Sequence, residues 1–276
     1  MVQKDRPLKG KTVVVTRPRE QAAETVKAIE TLGGKPYLLP TIEIEAPRDF
    51  SAAKVFFQAL AHREADYVIL MSVNGVQHLL AIAESLGIAD ELKRDLKNAV
   101  VMAVGPKTAQ ELENNGVHVD LVPEKYTSEG ILKCLQQRHA EGKAILIPRT
   151  SEAPPELGEK LRAMGNRVEE IHVYHSELPD DDVLAAKFVK DLAEGKADAI
   201  LFTSSLGVKN FFEMLKHAIP EDKLKHQIQE KTVIVAIGPT TAKTLTEAGV
   251  KVDVMPKNHT LDGALDALAD FWNVKK

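Results

Sequence analysis

The chain has 276 residues, enough for about two domains of ordinary size, and 44% are hydrophobic, which supplies each with a packed core. A formal charge of −4 argues against a general nucleic-acid binder, and the lone Cys134 excludes an intrachain disulfide framework and fits a reducing compartment. No apolar run approaches the ~18 residues of a membrane span, and the polar start, Met1 to Gly10, lacks a signal-peptide core, so a cytoplasmic protein with no membrane partner is expected.

Short apolar runs alternate with helical patterns along the chain. Thr12–Thr16 reads as the first strand and Glu20–Leu32 as the first helix, with Ala22, Ala23, Val26, Ile29 and Leu32 on one stripe and Gly33-Gly34 ending it. Pro40–Pro47 alternates apolar and acidic residues between two prolines, unlike a buried parallel strand. Strands follow at Tyr67–Met71, Val100–Val104 and Val117–Val122, with Ser72 as a helix N-cap and Gly116 at a helix end. The second half supplies Ala144–Ile147, Ala199–Thr203, Thr232–Ile237 and Val250–Met255, with Thr203 or Ser204 as a cap and Gly249 at a helix end. His172–Pro179 is a second mixed segment. Strands this apolar are expected when helices cover both faces of a parallel sheet, so the fold class is α/β, with flavodoxin-like layer sandwiches.

The two halves repeat one another. Arg17, Gly33, Pro47, Asp66, Ser72 and Gly75 recur as Arg149, Gly165, Pro179, Asp198, Ser204 and Gly207 at a shift of 132 (149 − 17 = 132). Gly105-Pro106, Gly116 and Pro123 recur as Gly238-Pro239, Gly249 and Pro256 at a shift of 133 (238 − 105 = 133). Such a long period marks a duplicated domain, and two facing α/β units form a cleft, a common place for a ligand. Two organisations are open: sequential domains split near Gly142, or units joined where the two mixed segments pair as a connector.

The polar candidates fall where strands end and helices begin, the usual ligand edge of an open parallel sheet. They are Arg17, Ser72, Asn74, Gly105, Lys107, Thr108 and Tyr126 from the first half, and Arg149, Thr203, Ser204, Ser205, Gly238, Thr240 and Thr241 from the second. Hydroxyls, helix N-terminal amides and a few cations suit phosphates or several carboxylates at once. Each also has a plainer reading: Ser72, Thr203 and Ser204 as helix caps, Pro106 and Pro239 as first-turn prolines, Arg17 and Arg149 as solvated charges. Gly105-Pro106-Lys107-Thr108 lacks the glycines of a P-loop, and no GxGxxG follows an early strand. His172 and His175 would point to opposite faces of a strand, and no Cys/His cluster has zinc spacing, so no metal is expected. Tyr174, one of four tyrosines, lies in the second mixed segment, where its phenol could assist a leaving oxygen or merely fill a half-buried strand position.

At these residues the chain resembles the uroporphyrinogen-III synthase (HemD) family over nearly its whole length. The matching pieces are Val13–Pro18, Ser72–Val76, Val104-Gly105 with Thr108, Val173-Tyr174, Phe202–Ser204 and Ala236–Ala242. The chain departs from many relatives at Thr203–Gly207, where proline often follows the serine. The resemblance implies two flavodoxin-like α/β domains, residues 1–40 plus 177–276 and residues 46–171, joined by a two-stranded antiparallel connector of 41–45 and 172–176. It implies a monomer that needs no cofactor. The implied reaction closes hydroxymethylbilane, a linear tetrapyrrole polycarboxylate, into uroporphyrinogen III with loss of water and inversion of ring D, through a spiro intermediate. Tyr174 would be the catalytic residue and the other candidates would hold the substrate's eight carboxylates. A transient contact with the preceding pathway enzyme is a further partner on this reading. The competing class is a non-catalytic, two-lobed cytoplasmic small-anion binding or sensor protein; a DNA-binding regulator ranks below both, because only short termini lie outside the repeat.

Overall fold

The computed structural model describes residues 6–274. Two compact units emerge, one from the chain up to Glu43 and from Glu177 onward, the other from Ile44–Ser176. The first unit opens with β1 (Thr12–Val15), α1 (Arg19–Thr31) and β2 (Lys35–Leu38). β3 (Glu43–Glu45) leads into the second, which continues with α2 (Ser51–Ala61), β4 (Tyr67–Leu70), α3 (Val73–Ser85), α4 (Ala89–Asp95), β5 (Val100–Ala103) and α5 (Pro106–Asn114). It is completed by α6 (Ser128–Gln137), β6 (Ala144–Thr150), α7 (Glu156–Ala163) and β7 (Arg167–Glu177). The chain then returns to the first unit through α8 (Asp182–Ala193), β8 (Ala199–Phe202), α9 (Ser205–Leu215), α10 (Glu221–Lys231), β9 (Val233–Ala236), α11 (Pro239–Glu247) and α12 (Leu261–Val274).

One sheet has the order β2-β1-β8-β9, the other β3-β7-β6-β4-β5. Strands β1, β2, β8 and β9 are parallel throughout, as are β7, β6, β4 and β5. The repeat shifts carry β1 onto β6, β2 onto β7, β4 onto β8 and β5 onto β9 (144 − 12 = 132; 233 − 100 = 133). Each unit therefore combines the first two strands of one repeat with the last two of the other. Gly142 lies inside the second unit, between α6 and β6.

Side-chain alternation explains why these strands are almost wholly apolar. Val68 and Leu70 of β4 enter one core layer, and Ile69 enters the layer on the opposite face with Ile145 and Ile147 of β6. In the first unit Val14, Ile200 and Phe202 face one layer, while Val13, Val15 and Leu201 face the other.

Repeated aspartates fasten the N-terminal ends of the strands. Asp198 accepts from the Thr12 N–H at 2.8 Å, and its equivalent Asp66 accepts from the Ala144 N–H at 2.8 Å. A related device corrects two expected strands: Val117–Val122 and Val250–Met255 each make only a single parallel bridge, Met102 with Leu121 and Val235 with Val254. Asp120 takes the Val101 N–H at 2.8 Å, and Asp253 the Ile234 N–H at 2.9 Å. These carboxylates occupy donors that a strand carbonyl would use, so no ladder extends. β2 is the strand the sequence did not suggest; its Lys-Pro-Tyr-Leu run includes Pro36, which a sheet tolerates on an edge strand.

Candidate functional site

In each unit the strand order reverses once, between β1 and β8 and between β6 and β4. These switch points are where open α/β sheets place ligands, at the C-terminal strand ends. In the second unit, β4 ends at Leu70, and Ser72 caps α3, its Oγ accepting the Gly75 N–H at 3.0 Å. Across the sheet, β7 breaks register with β6: Arg149 pairs with His172, but Thr150 pairs with Tyr174. The extra residue on β7 is a bulge-like step, the kind that re-aims the next side chain. Tyr174 is buried, 8% exposed, and its hydroxyl lies 3.1 Å from Ser72 Oγ. The His78 ring stacks on it at 5.3 Å between centroids and 24° between planes. After the neighbouring strand β5, Gly105 is the N-cap of α5 with Pro106 as its first residue. Gly105 makes room there, since an added Cβ would lie 3.0 Å from the Tyr126 ring, which covers the turn. Asn74 is half-buried and bonded, Thr108 is buried, and Lys107 is exposed.

The first unit repeats this frame with a different filling. Ser204 caps α9 by accepting the Gly207 N–H at 3.0 Å. No phenol meets it; Thr41 and Thr16 pack there instead, and an added Cβ on Gly207 would lie 3.1 Å from Ser204 Oγ and 3.4 Å from Thr41 Oγ1. Thr16 donates to the Leu201 carbonyl at 2.9 Å and Thr41 to the Thr16 carbonyl at 3.0 Å. Thr203 is half-buried. Ser205 accepts from Thr244 Oγ1 at 2.9 Å, joining α9 to α11. Gly238 caps α11, with Pro239 following, and the exposed His259 ring stands over it as Tyr126 stands over Gly105. Thr240 is exposed and Thr241 buried.

The two arginines part company. Arg17 is half-buried and donates to Gln21 at 3.3 Å. Arg149, expected as a cation on the ligand edge, is 6% exposed, donating to Glu170 at 2.5 Å and to the Pro154 carbonyl at 3.1 Å. Both terminal nitrogens hold chain partners, which makes the guanidinium a structural tie, while its buried Nε has no hydrogen-bond partner among the described residues. Glu152, which no motif singles out, takes hydrogen bonds from Ser151 Oγ at 2.5 Å, from Thr150 Oγ1 and from the Ser176 N–H at 3.2 Å. Burial pulls its carboxyl upward, but those three donors outweigh it and hold the group below the usual carboxylate range. His78 was also missed; a lone histidine on an apolar helix face gives no signal until its neighbour is known. On the paired strands β3 and β7, Glu45, His175 and Glu177 each bring one ligand atom within 4.8 Å of the others, and both glutamates are exposed. Cavities of 270 and 720 Å³ flank α6 and α12 and are lined by none of the candidate residues. Among the described residues no helix is long and apolar enough to cross a membrane.

Fold and edges together define a duplicated, doubly wound α/β protein that presents hydroxyls and helix N-termini at two switch points. A family profile for "Uroporphyrinogen-III synthase HemD" matches residues 23–266. A putative uroporphyrinogen-III synthase of Methanothermobacter thermautotrophicus is 34% identical over 257 residues, 93% of this chain and 97% of the relative. The uroporphyrinogen-III synthase of Chlorobaculum parvum is 34% identical over 252 residues, 90% of this chain and 93% of the relative. In fold, the chain is similar to the uroporphyrinogen III synthase of Thermus thermophilus (TM-score 0.60, 23% identity, 96% and 99% of the two chains) and to that of Helicobacter pylori (TM-score 0.61, 20% identity, 94% and 98%). The chain belongs to the uroporphyrinogen-III synthase family, enzymes of tetrapyrrole biosynthesis.

Proposed function

We propose that this chain closes hydroxymethylbilane into uroporphyrinogen III, with loss of water and inversion of ring D, and that Tyr174 is its catalytic residue. The observation that carries the assignment is the buried Tyr174 hydroxyl, 3.1 Å from the Ser72 cap of α3 at a switch point of the second unit. The phenol O–H donates its proton to the terminal hydroxyl as the C–O bond breaks, and the bonding pair leaves with the oxygen as water. The electron-poor methylene left behind is attacked by ring D, and after the spiro rearrangement and closure the pyrrole carbon returns one proton to the phenolate. Atoms balance as bilane giving macrocycle plus one water. Since the substrate closes unaided to the wrong isomer, holding ring D is the larger demand on the protein.

The groups suited to the substrate's eight carboxylates are, in the second unit, the N-termini of α3 and α5 with Asn74, Lys107 and Tyr126, and, in the first, the N-termini of α9 and α11 with Arg17, Thr203, Ser204, Ser205 and Thr240. Buried Thr108 and Thr241 shape the same first turns, and Gly105 and Gly238 leave room for the Tyr126 and His259 rings beside them. Arg149 is left out, because Glu170 and Pro154 hold its guanidinium. In this reading β3 and the end of β7 are the antiparallel connector between the units. The enzyme acts in the cytoplasm as a monomer, needs no cofactor, and meets the preceding pathway enzyme only transiently.

The test is to supply hydroxymethylbilane and resolve type I from type III product. The wild-type chain is expected to yield type III, and Tyr174→Phe to lose about 100-fold in kcat. Ligand binding with type I product alone would leave an anion-binding protein in its place.

A further inference from the structure

Ser72, Gly75 and His78 are spaced three apart on one face of α3, and all three serve Tyr174 or the strand beside it. Gly75 leaves room: a Cβ there would lie 3.3 Å from Ser72 Oγ and 3.4 Å from the Pro148 carbonyl of β6. The helix can thus lie close enough for its cap to reach the phenol and for its next turn to cover the ring. We infer that Ser72 and His78 are positioning residues for Tyr174, the serine holding the phenol oxygen and the imidazole holding the plane of the ring. This rests on the catalytic role given to Tyr174 above.

Two arguments lead there. The Ser72 oxygen accepts the Gly75 N–H at 3.0 Å, and its own O–H can rotate toward the tyrosine oxygen 3.1 Å away. Before proton delivery the Ser72 oxygen can accept from the phenol; afterwards its O–H donates to the phenolate, so one contact serves both states. The phenolate then also lies at the positive end of α3. His78 acts on the other coordinate: a ring stacked at 5.3 Å and 24° permits little rotation of the phenol out of plane. The repeat supplies an independent control. His78 is equivalent to Asn210 of the first unit (210 − 132 = 78), and Asn210 donates to the Thr41 carbonyl at 2.8 Å. Thr41 follows β2 much as Tyr174 lies toward the end of β7. In both units the residue six past the cap contacts a residue within or just after the second strand of the repeat. An amide is used where a carbonyl is held, and a flat ring where a ring is held.

The test is a double-mutant cycle on the full chain, read as kcat, KM and the type III to type I ratio, with thermal melting of every variant. His78→Ala should lower kcat about tenfold and raise the share of type I product, with KM changed less than about twofold. His78→Phe, which keeps a flat ring, should recover to within about threefold of wild type. In a Tyr174→Phe background His78→Ala should cost less than about twofold, because the group it positions is gone. Ser72→Thr should keep most of the rate, whereas Ser72→Asp keeps the cap but cannot donate and should lose about tenfold. Equal losses from His78→Ala with and without the Tyr174 hydroxyl, or full kcat in His78→Ala, would overturn the inference while leaving the synthase reading intact. A wild-type chain giving only type I product would instead remove the synthase reading.

Discussion

Arg17 and Arg149 occupy the same place in the repeat, as do Ser204 and Ser72, yet the two units use them differently. In the first unit the arginine stays half-exposed, and the serine cap accepts the Gly207 N–H with Thr41 and Thr16 beside that glycine. In the second the arginine is drawn into the protein by Glu170, and the serine cap meets a tyrosine and, through it, a histidine. Duplication reproduced the backbone devices: strand order, caps, Gly-Pro turns and aspartate ties. The side chains laid on those devices diverged, so recurrence identifies where a site is built without saying which copy does the chemistry.

The largest stability difference between the copies should come from the arginines. Arg149→Ala leaves Glu170, 17% exposed at its side chain, with only the half-exposed Arg162 at 3.1 Å. A loss of about 3 kcal/mol is expected in denaturant unfolding, since one partner of a buried pair remains without its charge. Arg17→Ala should cost about 0.5 kcal/mol or less, as for an ordinary surface change, and show instead as a raised KM. Matching stability losses in the two variants would remove the distinction between a structural tie and an available cation.

The caps come next. Ser72→Ala and Ser204→Ala each remove one side-chain acceptor, of Gly75 N–H and Gly207 N–H, and should each destabilise by about 1 kcal/mol. Their kinetics should separate: Ser72→Ala should lower kcat, because Tyr174 loses its partner, and Ser204→Ala should act mainly on KM. Steady-state kinetics beside melting curves of the two variants checks this, and a shared kcat loss would make the second unit's edge no more catalytic than the first.

Much of this was legible in the chain, and the gaps have physical causes. Strand-to-helix turns carrying Ser72, Ser204, Gly105 and Gly238 could be placed because apolar runs end abruptly at them. β2 could not, because a four-residue edge strand containing Pro36 has no periodicity to read. Val117–Val122 and Val250–Met255 have strand composition, but Asp120 and Asp253 intercept the ladder donors. Tyr174 could be singled out by its segment, whereas the His78 stack depends on a register step in β7 that no local pattern encodes. Arg149 looked like a ligand-edge cation because its partner Glu170 sits 21 residues away on the neighbouring strand.

The smallest expected effect lies at the opposite end of the first sheet, in a cluster that the second unit does not repeat. Asp191 of α8 accepts from Lys187 at 2.7 Å, Lys196 at 2.8 Å and the Tyr37 hydroxyl at 3.0 Å. The repeat equivalent is Ala59 (191 − 132 = 59), so only one unit has this cluster. The hydrogen bonds from Lys187 and Lys196 hold the Asp191 carboxyl well below the usual carboxylate range, against the opposing pull of burial. A depressed folded value stabilises above the unfolded value of about 3.9, and that stabilisation fades as pH falls toward the folded value. Both lysines are more than half exposed, at 60% and 55%, so screening keeps the contribution below that of a cap. Asp191→Asn should therefore lower the melting temperature modestly at pH 7, and the gap to wild type should narrow only below about pH 4. Trp272, the single tryptophan, is partly buried against the first unit's core and reports that unit by its fluorescence. A gap that stayed constant to pH 3, or that widened on acidification, would show that the cluster holds α8 by packing and not by charge.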